Sequence, residues 1–128
     1  MASKPIERLK KSAEFSRLKN EGRKVRVSSW LLISFEKNEL KILRYGTTVP
    51  RKIGTAVVRN KLKRWVKAFI YSSSEFHTLE VDINFVFLPT GQNCSKLKSA
   101  EVFEEFHKGL MKIKRYLRTD PAEQTRKN

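Results

Sequence analysis

The segment Arg51–Trp65, RKIGTAVVRNKLKRW, most narrowly limits what this chain can become, because it joins a helical apolar period to uncompensated positive charge. Thr55 is suited to cap a helix running to about Tyr71. At about 100° per residue, Val58, Leu62, Trp65, Val66 and Phe69 fall on one side and must be covered, while Asn60, Lys63, Arg64 and Lys67 fall opposite, with Arg59 and Lys61 at the two edges. No Asp or Glu occurs between Glu39 and Glu75, whereas Lys41, Arg44, Arg51, Lys52, Arg59, Lys61, Lys63, Arg64 and Lys67 all do. Solvated helical faces normally mix signs, since like charges one turn apart repel. A single-sign ridge therefore points to a polyanion that relieves the repulsion.

The whole chain agrees with its segment. Its 128 residues contain 28 Lys and Arg against 13 Asp and Glu, a net charge of +15. Such a field attracts nucleic acid or anionic membrane. Nucleic acid is favoured, because no apolar run approaches the roughly 20 residues that span a bilayer. The start, MASKPIERLKK, has no apolar h-region of the kind a signal peptide needs. Cys94, the single cysteine, forms no internal disulfide, so a cytoplasmic, reducing location is expected. A 39% hydrophobic fraction with eight Phe is enough for a modest core. One nucleic-acid-binding domain over residues 1–118 is expected, followed by a flexible tail over 119–128, TDPAEQTRKN, which has little to bury.

Before the cationic segment, Ser12 reads as an N-cap, Glu14 as a first-turn acid and Gly22 as the C′ residue of a helix over about Ala13–Glu21. Val25–Phe35, VRVSSWLLISF, reads as one strand with Val25, Val27, Leu31, Ile33 and Phe35 on one face and Trp30 and Leu32 on the other. Lys37 and Asn38 turn the chain into an antiparallel return strand, Leu40–Val49, stopped by Pro50. After a linker over Ser72–Glu80, Val81–Leu88 forms a third strand, closed by Pro89-Thr90-Gly91. From Ser99, the spacing of Phe103, Phe106, Leu110, Ile113 and Leu117 describes a last helix with mixed charges outside. The order is α-β-β-α-β-α, an α+β fold with helices packed on a small central sheet.

A protein active site is not expected. His77 and His107 have no Ser, Cys or carboxylate at motif spacing, and Cys94 has no basic neighbour nearer than Lys96. Asp82 alternates out of its strand's core and reads as a surface or edge residue, and Gly54 is an isolated glycine that serves the turn into the helix. No residue spacing suits a metal, so neither a catalytic residue nor a cofactor is expected in the protein itself. Phe15 can serve as a core anchor or stack on an unpaired base, and its own sequence context leaves both open. Trp65 and Phe69 share the apolar stripe and are expected in the core.

Arg59-Asn60-Lys61-Leu62-Lys63-Arg64-Trp65-Val66-Lys67 resembles the signature R-N-R-x-K-R-x-x-R of the bacterial ribonuclease P protein subunit. LKKSAEFSRLKNEG, Leu9–Gly22, resembles that family's first helix, and RYGTTVPRKIGTAVVRNKLKR its strand, turn and signature helix; the likeness spans roughly Arg8–Tyr116. The resemblance implies a protein without an active site, working beside a large RNA that hydrolyses the 5′ leader from precursor tRNA with magnesium. It also implies a left-handed crossover between parallel neighbouring strands, against the usual right hand. Position by position, it assigns Arg59, Asn60, Lys61, Lys63, Arg64 and Lys67 to the catalytic RNA, and it matches Arg51 and Lys52 to RNA-binding basic positions of the loop before the helix. A cleft for the single-stranded leader of precursor tRNA would take Phe15, Lys19, Trp30 and Ile33. Lys61 and Lys67 stand where relatives commonly carry Arg, keeping charge but losing the planar fork. Ala68 replaces a frequent acid, and Lys19 and Ile33 replace frequent aromatics. Two other readings share the charge: a structural RNA-binding protein of the ribosome, and a DNA binder, for which the helix offers few base-reading side chains.

Overall fold

The computed structural model describes residues 6–89 and 94–119. Five strands, β1 (Ile6–Arg8), β2 (Arg23–Arg26), β3 (Leu31–Lys37), β4 (Leu43–Thr48) and β5 (Val81–Phe87), form one mixed sheet in the order β1-β4-β5-β3-β2. Three α-helices, α1 (Ser12–Glu21), α2 (Ala56–Ser72) and α3 (Ser99–Thr119), complete the α+β architecture. Short 3-10 turns at Arg51–Ile53, Ser74–Phe76 and Cys94–Lys96 link them. The expected tail beyond Thr119 and the Thr90-Gly91 turn lie outside the described residues.

The predicted single strand Val25–Phe35 is a hairpin instead. Arg26 donates through Nε to the Ser28 carbonyl (2.9 Å), and the Trp30 amide donates to Ser28 Oγ (3.3 Å). The Ser28 hydroxyl and the Arg26 guanidinium thus give the backbone local partners that compete with a continuous ladder. β2 folds back on β3 with Val25 opposite Ile33. The predicted β3–β4 hairpin is also absent, although the strand directions are as expected. β5 lies between them, antiparallel to β3 and parallel to β4. Asn38 fastens the connection that passes over it, donating from Nδ2 to the Ile42 carbonyl (3.0 Å) and to Asp82 Oδ1 (2.8 Å). α2 is therefore the crossover between the parallel neighbours β4 and β5, the connection that the family resemblance requires.

The core lies beneath α2 and α3. Phe106 of α3 is fully buried and meets Phe85 (5.1 Å), Phe69 of α2 (5.4 Å) and Phe87 (6.2 Å) edge to face. That geometry suits aromatic quadrupoles and adds to the area each ring buries. A Cβ on Gly109 of α3 would collide with the Ile33 side chain, so glycine permits the close approach of helix and sheet. The stretch read as a linker contributes as well. Phe76 is fully buried, and His77 Nε2 lies 2.7 Å from the Ile70 carbonyl at the end of α2.

α1 covers part of the opposite face. Its N-cap is Lys11 rather than Ser12, with the Glu14 carboxylate accepting from the Lys11 and Lys10 amides (3.1 Å each). Gly22 ends the helix as its C-cap, one position earlier than the expected C′ place, in an extended conformation with φ −73°. Glycine is needed there because a Cβ would sit 2.6 Å from the Leu18 carbonyl oxygen and 3.1 Å from that of Phe35.

Candidate nucleic-acid interface

α2 begins as predicted. Thr55 Oγ1 accepts from the Val58 amide (3.3 Å), satisfying one of the donors that a helix start leaves over. Leu62, Val66, Phe69 and Ile70 are buried, and Ile53 anchors the preceding turn. Trp65 departs from its expected core place: it is half-buried, with Lys61 Nζ over its ring at 5.0 Å. Outward from this stripe, Arg51, Lys52, Asn60, Lys63, Arg64 and Lys67 are exposed, and Arg59 and Lys61 are half-buried. Arg59 donates to the Gly54 carbonyl (3.3 Å) and Lys61 to that of Ser95 (3.4 Å). Among the described residues none of the seven cations in this group is paired with a carboxylate.

Other cations show what pairing looks like in the same molecule. Lys108 on α3 bridges Glu105 (2.9 Å) and Glu104 (3.8 Å). Arg44, counted from the sequence within the acid-free block, instead points to the α1 face and grips Asp82 with Nε (2.8 Å) and Nη2 (2.7 Å) and Glu14 with Nη1 (2.6 Å). Its partners lie far away in sequence, so the block reads as one field only until the chain folds. Asp82 is thus a structural anion on a central strand, not an edge residue. Hydrogen bonding to Asp82 and Glu14 raises the Arg44 pKa, and backbone donation from Lys11, helped by Lys10 and Arg44, holds the Glu14 carboxyl below the usual range.

On the α1 face Phe15 is half-buried with its ring over Gly46, where a Cβ would meet Phe15 Cε1 at 2.5 Å. Lys19, one turn on, is exposed. The residues assigned to a cleft with them do not join them. Ile33 is 0% exposed beneath α3, and Trp30 is buried in a stack on Phe87 at 5.9 Å. Both belong to the core face, because Ile33 shares its face with Phe85 and Phe87. Half-buried Leu32, Val86 and Thr48 occupy the α1 face instead. The alternation that separated Leu32 from Ile33 in the sequence was the signal that could have found this.

Between the two surfaces runs a groove of about 370 Å³. β1 pairs with β4 only at Leu43–Tyr45, and the Leu9 amide makes the last bond, to the Tyr45 carbonyl (2.7 Å). Beyond it β4 has a free edge, and Tyr45, Gly46 and Thr47 form the groove's floor. Arg8, Leu9 and Phe15 line one wall; Asn60, Lys63, Arg64 and Lys67 line the other. Arg8 had no signal in the sequence, since a three-residue strand has no period to detect.

The remaining candidates for chemistry are structural. Cys94 is buried in the core, not in a polar loop, and burial pushes its thiol pKa up. His107 meets Glu75 at 3.2 Å on the surface. Among the described residues no cluster of His, Cys, Asp or Glu is placed to hold a metal, and no helix is long and apolar enough to cross a membrane.

Residues 4–114 match the family model described as Ribonuclease P. The ribonuclease P protein component of Mycoplasma mycoides is 31% identical over 107 residues, covering 83% of this chain and 94% of the relative. That of Thermotoga petrophila is 31% identical over 109 residues, covering 85% and 91%. Among solved structures, the ribonuclease P protein of Thermotoga maritima superposes with a TM-score of 0.70 at 27% identity, over 80% of this chain and 94% of that one. The Staphylococcus aureus protein does so with a TM-score of 0.69 at 27% identity, over 83% and 93%. With the sheet order, the cationic α2 and the match over nearly its whole length, this chain belongs to the ribonuclease P protein component family.

Proposed function

We propose that this chain binds the catalytic RNA of ribonuclease P through the α2 ridge and the Arg51–Lys52 turn, and holds the single-stranded 5′ leader of precursor tRNA against the α1 face of the sheet. Leader removal would be the RNA's chemistry, with magnesium bound by the RNA, in the cytoplasm. The observation that carries this reading is the contrast in pairing: the ridge cations lack carboxylate partners among the described residues, whereas Arg44, Lys108 and Arg17 have them. Unpaired cations on one helical face release counterions when they meet phosphates, which drives binding and makes it salt-dependent. For the leader, Phe15 offers a ring, Lys19 a charge, and Leu32, Thr48 and Val86 a half-buried floor.

The test replaces Arg59, Lys63 and Arg64 together with Ala. Association with the catalytic RNA should weaken, and the slope of log affinity against log salt should shrink by roughly 0.7–0.9 for each phosphate no longer neutralised. The fold should persist, because all three lie off the buried stripe. An unchanged slope would show the ridge to be merely solvated.

A further inference from the structure

Tyr45 on the groove floor is 3% exposed, and its hydroxyl has no hydrogen-bond partner among the described residues. Folded proteins leave few buried polar groups in this state, and each calls for an explanation. Tyr71 packs edge to face on the ring at 6.2 Å, holding it in place. Burial, with the neighbouring Tyr71 hydroxyl, raises the phenol pKa, so the Tyr45 hydroxyl keeps its proton at neutral pH and is available to donate it to an acceptor with better geometry than Tyr71 offers.

What surrounds the groove specifies that acceptor. Arg8 enters from β1 with no ion pair or hydrogen bond among the described residues, and Arg64 and Lys67 face it from α2. Positive charge thus stands on both walls, supplied by elements more than fifty residues apart in sequence. Successive residues of a strand turn their backbone groups to opposite sides. Because the Tyr45 carbonyl points toward β1, the Thr47 amide points to the same side, where β1 has already ended. Two cationic walls, a backbone amide and an orphan hydroxyl make a site for a compact anion with several acceptor oxygens.

We propose that this groove seats one phosphodiester of RNA, with Arg8, Arg64 and Lys67 supplying the charge and the Tyr45 hydroxyl donating a hydrogen bond to it. The inference rests on the reading that α2 faces RNA, and adds to it an enclosed contact whose key members, Arg8 and Tyr45, lie outside the signature. The phosphate can belong to the catalytic RNA or to the precursor's leader.

The experiment compares Tyr45→Phe and Arg8→Gln with the unaltered protein, each assembled with the catalytic RNA. Tyr45→Phe removes only an unpartnered oxygen, so the variant should melt at the same temperature or slightly higher. It should weaken one RNA affinity by about tenfold, the worth of a hydrogen bond to a charged acceptor, with no change in salt slope. Arg8→Gln should weaken the same affinity and lower its salt slope by about 0.7–0.9. Weaker assembly with the catalytic RNA assigns the phosphate to that RNA. Weaker binding of leader-bearing precursor but not of mature tRNA, with assembly intact, assigns it to the leader. If both variants match the parent in both affinities while the ridge triple variant still weakens assembly, the groove is not a phosphate site and only the ridge reading stands. If the triple variant is also without effect, the ridge reading itself falls. A sharp drop in melting temperature for Tyr45→Phe would mean that the hydroxyl has a structural partner and would overturn the proposal.

Discussion

Toward α2 and α3 the sheet presents Ile33, Phe35, Ile83, Phe85 and Phe87, none more than 2% exposed, while toward α1 it presents Leu32, Ser34, Glu36, Asp82, Asn84 and Val86. The first face is closed by aromatic packing. The second is held by ion pairs, Arg44 to Glu14 and Asp82 and Arg17 to Glu36, and keeps an uncovered strip beside Phe15. The difference teaches how a small domain divides its labour. Apolar burial on one side supplies stability without directionality, which frees the other side to carry polar groups and a partial cover, as a ligand surface requires.

The comparison breaks most visibly at Phe106. Phe106→Ala removes the ring that joins α3, α2 and β5, and should cost about 3–5 kcal/mol of folding stability, read from denaturant unfolding. Arg44→Ala, on the other face, leaves two part-buried carboxylates without their cation and should cost about 1–3 kcal/mol. A loss as large as that of Phe106→Ala would show that both faces carry the fold equally.

The same ion pairs give the α1 face a pH response. The Glu14 carboxyl is depressed in the folded protein, so its contribution is present above the unfolded value, about 4.3, and is lost as pH falls through the folded value. Glu14→Gln should therefore lower stability at pH 7 and make the acid limb of the stability profile shallower. Equal slopes in the two proteins would remove Glu14 from the linkage.

Phe15→Ala separates binding from folding. Stacking on an unpaired leader base would be worth about 1–3 kcal/mol in precursor affinity, with mature tRNA unaffected. Since the ring is only half-buried over Gly46, stability should fall by less than for Phe106→Ala. Equal losses for precursor and mature tRNA, together with a large drop in melting temperature, would make Phe15 a core residue.

How much of this was legible depended on whether the information was local. α2 was read correctly to within a residue at each end, because the Thr55 cap and the apolar period lie inside the segment. β5 and α3 were found for the same reason. Strand neighbours were not, since nothing in Leu31–Thr48 announces that β5, more than thirty residues later, inserts between β3 and β4. β1 was too short to show a pattern. Arg44 was read as a free cation because both of its partners are distant in the chain. The ridge was legible as a stripe, but the groove was not, because its opposite wall comes from β1.

The smallest effect tests which face meets the leader. Family resemblance placed Ile33 in the cleft, whereas the fold buries it under Gly109 of α3, and Leu32 points to the α1 side. Ile33→Val should therefore cost about 0.5–1.5 kcal/mol of stability through removal of one buried methyl. Precursor affinity should be unchanged for the protein that remains folded. Leu32→Ala should behave oppositely: half-buried, it loses less stability per atom removed, but it takes apolar surface from the strip beside Phe15 and should weaken leader-bearing precursor relative to mature tRNA. Measuring unfolding midpoints alongside both tRNA affinities distinguishes the two residues. A selective loss of precursor binding in Ile33→Val, with Leu32→Ala silent, would mean that the leader approaches the sheet from the α3 side.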